Sequence, residues 1–578
     1  MRDYPWQEKY DDGVPRTLRP YPEHTLLDYF REAVALRPDA PAVLFKGVEL
    51  SHARLDQESD AFAAALAELG IRKGDRVGLI LPNCPQFIIA ELAAWKLGAV
   101  VAPLNPLYSD REFQEALGRS RPTALVVLNR FYPRVKAFQA ATTVDRVITV
   151  NIKEYLPPLL RFLFTVAKEK KEGDRIRLEP GDHRMAKLLE TYRDAAPQRG
   201  RTLPDDPAVL LMSGGTTGSA KAVVGPHRAL VTSGLQIRSW LSPILDEWDD
   251  RILIPLPLFH VYANAGGQSI ALMGHNPMVL VPNPRDLDDV VATIDRTRPA
   301  LFLGVPALFA AMLEHPKVRS GKVDIRSIRG CFSGASALLA ETKRRFEEVT
   351  GGLIVEGYSL TEAMMATCAN PVRGTNKIGS VGLPFPDVEL RVVDADDAAV
   401  DLDTGQVGEV LLRAPQVMSG YWEDSQESAE ALYDDGDGYP WLKTGDLGYL
   451  DEDGYLFLVD RKKDLIKVSG LQVWPREIEE VIATHPAVAD VGVAAIPHDR
   501  KGEVPKAWVV LRPGAAATVE DIREACRTQL APYKVPATVE FCTELPRSLM
   551  GKVLRRALRA QAAAEATGTE SEPAQMEP

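Results

Sequence analysis

The sequence predicts an α/β protein: a large N-terminal domain of layered α/β subdomains plus an antiparallel β subdomain, followed by a small α+β C-terminal domain. Three observations carry this. From Thr25 onward, helical patterns alternate with short apolar runs: "HTLLDYFREAVALRP", "DRVGLILPN", "PQFIIAELAAWKLGAVVAPLN", "TALVVLN" and "DRVITVN". Such alternation builds helix layers around largely parallel sheets. Near Asp387 the texture changes to "VELRVVDADDAAVDLDTGQVGEVLLRAP", period-two runs broken by Gly and Asp turns, which reads as antiparallel strands. After Asp460 the order is hairpin ("RKKDLIKVSG"), helix ("PREIEEVIATH"), strand ("VADVGVAAI"), strand ("KAWVVLR"), helix ("VEDIREACRTQL") and strand ("TVEFC"). The resulting boundaries are 1–460 for the large domain and 461–560 for the small one, with 561–578, rich in Ala, Glu and small polar residues, read as a disordered tail.

The bulk properties agree. A chain of 578 residues, 45% of them hydrophobic, is too long for one ordinary domain and can bury a large core. With 68 Lys and Arg against 80 Asp and Glu, it carries no general affinity for nucleic acid. Its five cysteines (Cys84, Cys331, Cys368, Cys526 and Cys542) lack CxxC spacing and read as buried thiols of a reducing, cytoplasmic compartment. The first 22 residues contain no apolar h-region and read as an extended arm. No fixed-period repeat is visible.

One segment departs from the globular pattern. Glu154 to Gly173, "EYLPPLLRFLFTVAKEKKEG", has an apolar part of about 12 residues, short of the roughly 20 that span a bilayer. Two readings stay open: a helix packed on the body or across a homodimer contact, or an apolar patch with Lys168, Lys170 and Lys171 lying peripherally on the inner face of a membrane.

Polar, glycine-rich turns follow several strand-like runs. "LLMSGGTTGSAKAVVG" (Leu210 to Gly225) offers glycines, two threonine hydroxyls and Lys221, a set that can converge on phosphate oxygens. It is not a Walker A loop, because two residues separate Gly218 from Lys221 and a strand, not a helix, follows. "RILIPLPLFH" ends at His260, "IRGCFSGAS" at Gly334, Ala335 and Ser336, and "GLIVEGYSLTEA" at Tyr358, Thr361 and Glu362. Ligands of open α/β sheets bind outside the carboxyl ends of strands, so neighbouring ends would form one cleft. Taken singly, each piece has an ordinary reading: a plain turn, a packed imidazole, a core tyrosine, a helix-start carboxylate favoured by the dipole. Asp446 in "WLKTGDLGYL", the basic run "RKKDLIK" and Lys552 in "LPRSLMGK" likewise read singly as turn or surface residues.

Together and in order, "SGGTTGSAK", "PLFH", "EGYSLTEA", "KTGD", "DRKKDLIKVSG" and "PRSLMGK" resemble the motifs of the adenylate-forming superfamily, which includes acyl-CoA synthetases, peptide-synthetase adenylation domains and firefly-type luciferases. "YDDGVPRTL", "GVPALFAAML", "SGLQVWPREIEEVI" and the 154–173 insertion narrow the resemblance to bacterial long-chain fatty-acid–CoA ligases. The resemblance implies ATP, Mg²⁺ and coenzyme A, with a small C-terminal domain that is mobile. Thr216, Thr217, Gly218 and Lys221 would hold the β- and γ-phosphates, and Glu362, beside Thr361, would sit by Mg²⁺. Tyr358 would stack on adenine, with Gly334, Ala335 and Ser336 along its edge; Asp446 and Arg461 would hold the ribose. Lys552 would reach the attacking carboxylate and the α-phosphate; His260 belongs to the same catalytic set. Lys463 would be the hinge, and rotation about it would bring Ser469 and Gly470 to the pantetheine. Small residues in "ANAGGQ" leave room for an acyl chain or, equally, for tight backbone packing. Against the family pattern, Met212, Ala220, Ala222 and Ser359 are departures, the last two standing where glycine is usual.

The resulting expectation is a ligase for medium- to long-chain fatty acids that proceeds through acyl-AMP. A ligase for aryl or cinnamate-type acids, or one loading a carrier-protein thiol, is the nearest alternative. A non-catalytic nucleotide- or lipid-binding scaffold is a remote one, since it predicts loss of at least one of Lys221, Glu362, Asp446 and Lys552, all present.

Overall fold

A computed structural model describes residues 4–196, 200–213, 220–334, 338–548 and 551–567. The chain forms two compact units. The first comprises Met1–Leu390, Leu412–Lys443 and Asp453–Tyr455; the second comprises Arg391–Leu411, Thr444–Glu452 and Leu456–Pro578.

Two sheets organise the first unit. In one, the described strands run in the order His183–Arg184, Arg146–Val150, Ala124–Leu128, Arg76–Ile80, Val100–Pro103, Pro207–Ser213 and Lys221–Pro226. Its pairs are parallel except the last, where Pro207–Ser213 turns back on Lys221–Pro226 and sets Ser213 opposite Lys221. In the other, Leu353–Tyr358, Gly330–Ser333, Leu301–Gly304 and Ile252–Ile254 lie side by side and parallel. Their carboxyl ends therefore line one edge, as strand-end reasoning requires. Asn83, buried just past the strand Arg76–Ile80, ties this sheet to the first: its amide donates to the carbonyls of Ile254 and Leu256, and its carbonyl accepts from the N–H of Leu258. The helix that follows, Pro85–Leu97, is buried at every position, which is why its sequence is mostly apolar rather than striped, with Gln86, Glu91 and Lys96 as buried polar exceptions.

The N-terminal arm is extended but fastened. Trp6 is buried, and Asp387 accepts from the Thr17 hydroxyl, the Leu18 N–H and the Tyr21 hydroxyl at 2.6, 2.9 and 2.7 Å. Four of the cysteines are buried and Cys542 is half-buried, all as free thiols.

The second unit has the predicted order: the hairpin Ile466–Val468 and Leu471–Val473, helix Pro475–Ala483, strands Val488–His498 and Gly502–Leu511, helix Val519–Gln529 and strand Thr538–Phe541. Ser469 and Gly470 form its first hairpin turn with φ of 52° and 85°, the paired positive φ of a type I′ turn. Ile466, Val493, Val509, Ile478 and Ile522 fill the core between sheet and helices.

Two boundaries differ from expectation. The second unit includes Arg391–Leu411 and Thr444–Glu452, because the strand through Asp446 pairs antiparallel with Leu456–Arg461, which feeds directly into the small domain. The chain is also helical over Arg555–Thr567, seven residues into the expected disordered tail. Alanine and arginine are strong helix formers, and Leu558 on this helix is buried with Trp508, Ala494 and Leu545.

Candidate active site

Lys221 opens the strand that follows the glycine-threonine loop; Thr216, Thr217 and Gly218 lie outside the described residues, as do Ala335 and Ser336. Its ammonium forms an ion pair with Glu427, from the helix Ser425–Ala431, and stands 4.8 Å from the centroid of the Tyr421 ring. The Tyr421 hydroxyl donates to Glu362 Oε1 at 3.1 Å. Burial, and then the Glu362 charge, raise the Tyr421 phenol far above its ordinary value, so it remains a donor. Backbone bonds hold this chain of groups in place. Segment 418–422 zips onto the strand Lys221–Pro226 through Ser419 N–H to Val224 O, Val224 N–H to Gly420 O and Trp422 N–H to Ala222 O. Met418 N–H donates to Glu362 O at 2.8 Å. Lys221, Tyr421 and Glu362 thus form one cation–aromatic–carboxylate array.

Glu362 lies in the single turn Thr361–Ala363, with Thr361 half-buried beside it, downstream of the strand Leu353–Tyr358. Tyr358 is nearly buried at that strand end, and its carbonyl accepts from the Thr367 hydroxyl. Gly334 follows the next strand over; a side chain there would meet the Tyr262 ring at 3.4 Å. His260 follows the Ile252–Ile254 strand. Burial pushes its imidazole down to about 4, so it is neutral at physiological pH. Its Nδ1 accepts from the Tyr262 N–H at 3.3 Å, which puts the ring proton on Nε2. Tyr262 in turn donates to Phe332 O at 2.6 Å and Gly304 O at 3.1 Å, locking the His260 turn to the ends of the neighbouring strands.

The "ANAGGQ" residues form a buried π-helical turn, Tyr262–Gln268. A side chain on Gly266 would meet Met365 at 2.9 Å, and one on Gly267 would meet Leu303 at 2.4 Å. At these two positions the small residues serve close packing, not an open channel. Ala222 sits in an extended, buried strand, so the departure from glycine there carries no backbone strain.

In the second unit, Asp446 and Arg461 are register partners on adjacent strands, with Nε 2.8 Å from Oδ1. Lys463 lies in the next turn, Lys462–Asp464, where burial and the Arg461 charge lower its pKa. Lys552 belongs to the same electrostatic cluster. It keeps an exposed surface, yet the surrounding protein, and then the like charge of Arg461, push its ammonium down to about 8, with Asp446 pulling the other way. A tight turn supports it: Ser548 N–H donates to Lys552 O at 2.8 Å. Ser469 and Gly470 sit at the tip of the Ile466–Val473 hairpin, where Ser469 N–H donates to Lys501 O.

Sequence reasoning missed three residues. Glu427 and Tyr421 stand in "GYWEDSQES", a stretch that carries turn residues and no phosphate-like pattern. Arg555, in "KVLRRALRA", bridges Asp460 at 2.7 Å and Glu479 at 2.8 Å, with Asp464 at 3.4 Å. It thereby fixes both ends of the turn that holds Lys463.

Two family models match the chain: the AMP-binding enzyme model over residues 30–422 and the AMP-binding enzyme C-terminal domain model over residues 477–552. A long-chain-fatty-acid–CoA ligase of Bacillus subtilis (strain 168) is 35% identical over 561 residues, which covers 96% of this chain and 97% of that protein. Among solved structures, the anthranilate CoA ligase AuaEII in complex with anthranoyl-AMP superposes with a TM-score of 0.81 at 26% identity, covering 94% of this chain and 98% of that one. A fatty acyl CoA synthetase of Mycobacterium tuberculosis superposes with a TM-score of 0.70 at 27% identity, covering 94% and 99%.

Proposed function

This chain belongs to the AMP-binding enzyme family, and on that premise we propose that it is an AMP-forming acid–thiol ligase joining medium- to long-chain fatty acids to coenzyme A. The observation that carries the reading is the Lys221–Tyr421–Glu362 array beside a row of strand ends. It supplies, within one unit, a cation for phosphate and a carboxylate for a metal.

Two half-reactions follow. The fatty carboxylate oxygen attacks the α-phosphorus of ATP; the new O–P bond forms as the bond to the β-phosphate oxygen breaks and pyrophosphate leaves. The sulfur of coenzyme A, its proton lost, then attacks the acyl carbonyl, the C–S bond forms, and AMP departs with the pair of the broken C–O bond. The first step brings an anion against a polyanion, so catalysis rests on fixed positive charge. Lys221 exchanges its Glu427 partner for phosphate oxygens, joined by Thr216, Thr217 and Gly218. Mg²⁺ takes substrate phosphates and few protein carboxylates, and the single carboxylate of Glu362 fits that donor set; the ion, when bound, neutralises phosphate charge. Tyr358 flanks the adenine with Gly334, Ala335 and Ser336. Asp446, held by Arg461, accepts from the ribose hydroxyls. His260, neutral, shapes the acyl entrance without supplying a proton. Lys552 neutralises charge between carboxylate and α-phosphate in the first step only; a hinge at Lys463 then replaces it with the Ser469–Gly470 turn for the second, a gating use of one site.

The aryl-acid reading keeps one specific support: the close contacts of Gly266 and Gly267 narrow the Tyr262–Gln268 turn. Carboxylate-dependent exchange of labelled pyrophosphate into ATP, across short, long and aromatic acids, followed by coenzyme A, tests both. Exchange with fatty acids and then acyl-CoA is expected. Exchange with aromatic acids alone would transfer the enzyme to the aryl branch, and exchange with none would remove the ligase reading.

A further inference from the structure

We propose that the protrusion 158–168 is a docking element for an anionic lipid bilayer, through which the enzyme meets its substrate at the membrane surface; the proposal rests on the fatty-acid reading above. The segment is a short helix, Pro158–Leu163, continued by the π-turn Phe164–Lys168. Leu159, Leu160, Phe162, Leu163 and Val166 are 69, 44, 64, 49 and 70% exposed. Among the described residues, no other eight-residue stretch exposes more than two large apolar side chains. Leu159, Phe162, Leu163 and Val166 follow the i, i+3, i+4, i+7 spacing of one helical face, but that face points to solvent, not to a core.

The base of the protrusion is built to hold this tip outward. Tyr155 is buried, with its hydroxyl on Glu58. Asn151 and Lys153 both reach Glu169, at 3.0 and 2.5 Å. Arg130 bridges Glu172 at 2.7 Å and the buried Asp174 at 2.5 Å. Arg161 folds back on the carbonyls of Lys153 and Glu154. Charge is partly sorted: Lys153 and Arg130 of the body hold Glu169, Glu172 and Asp174. Although Lys168 lies 4.0 Å from Glu172 and Arg175 3.9 Å from Glu169, Lys168, Lys170, Lys171, Arg175 and Arg177 all remain exposed. An apolar face bordered by cations, on a protein of formal net charge −12, complements a negatively charged lipid surface and repels a second copy of the same cationic patch. A bilayer is also where a long-chain carboxylate, the proposed substrate, resides.

The test is flotation of the purified full chain on vesicles of phosphatidylcholine alone or mixed with phosphatidylglycerol, with light scattering for mass. The wild type is expected to float with the mixed vesicles and far less with phosphatidylcholine. The triple substitution L159S/F162S/V166S should reduce the bound fraction at least about a hundred-fold, and K168E/K170E/K171E about ten-fold or more. Pyrophosphate exchange with a water-soluble medium-chain acid should be unchanged in both, since none of these residues belongs to the reacting site. Wild type that stays unbound, or floats equally on both vesicle types, overturns the proposal, as does a bound fraction indifferent to the apolar substitutions. A dimer that the same substitutions convert to monomer assigns the patch to a second copy and overturns it too. Flotation without pyrophosphate exchange in any variant leaves the docking element standing and removes the ligase reading.

Discussion

Lys221 and Lys552, the two lysines assigned here to the reacting phosphates, have opposite surroundings. Lys221 is neutralised by a carboxylate, Glu427, and lies over an aromatic face. Lys552 loses much of its hydration to the surrounding protein and is then crowded by guanidinium groups, Arg461 first among them, so its pKa falls to about 8. The pair shows how one residue type is set to two tasks. A lysine that keeps an anionic partner until ATP arrives is a steady binding charge. A lysine kept among cations is held in an unfavourable state that an incoming anion relieves, so its interaction strengthens where negative charge gathers.

The contrast can be broken experimentally. The largest effect is expected from Lys552→Ala: carboxylate-dependent pyrophosphate exchange should fall about 10²–10³-fold, while turnover of preformed acyl-AMP with coenzyme A stays within about three-fold. Equal loss in both half-reactions would refute the assignment of Lys552 to the first step alone.

Next in size is the pH profile. In the proposed role Lys552 works as the ammonium, and burial holds its folded pKa below the ordinary lysine value. The active fraction is therefore about nine-tenths at pH 7 and is lost as pH rises through about 8. Exchange kcat/KM should decline about ten-fold per unit beyond that point, and Lys552→Arg, whose charge persists to far higher pH, should abolish the limb. A flat profile to pH 10 would show that the crowding around Lys552 does not control its ionisation.

Glu427→Gln addresses the other lysine. Without a competing carboxylate, Lys221 is available to phosphate from the outset, so KM for ATP should fall about five-fold, the worth of roughly 1 kcal/mol, with kcat little changed. A rise in KM would mean that Glu427 orients Lys221 for ATP instead of competing with it. The smallest effect is a shift of position: Arg461→Gln removes the chief cationic neighbour of Lys552, and the alkaline limb should move up by less than about one unit, measurable at saturating ATP even though ribose binding weakens.

Much of this was legible in the sequence because it depended on local pattern. Alternating apolar periods dictated the layers, "KVSG" gave a hairpin turn whose Ser469 and Gly470 adopt positive φ, and "KAVVG" became the strand beginning at Lys221. The C-terminal end was misread for the opposite reason. Residues 561–567 have a disorder-like composition but good helix propensity, and the buried Leu558 upstream anchors them. "ANAGGQ" is ambiguous in sequence, since a small residue looks the same whether it borders a space or a neighbour; Met365 and Leu303, close against Gly266 and Gly267, decide it.

The sequence by itself supplied the parts that the proposed chemistry uses: a glycine-threonine loop, Lys221, Glu362 and a small domain carrying Lys552. Their presence and order are read directly from residue type and short spacing, which folding does not alter, whereas their roles are what the family resemblance implies. Only the tertiary structure decided how each part is held. It set Glu427 on Lys221 across 206 positions of chain, Asp446 opposite Arg461 on adjacent strands, and the apolar face of 159–166 toward solvent. Ionisation, partner exchange and exposure depend on which distant groups share a few ångströms, because charge interaction and desolvation act through space, not along the chain.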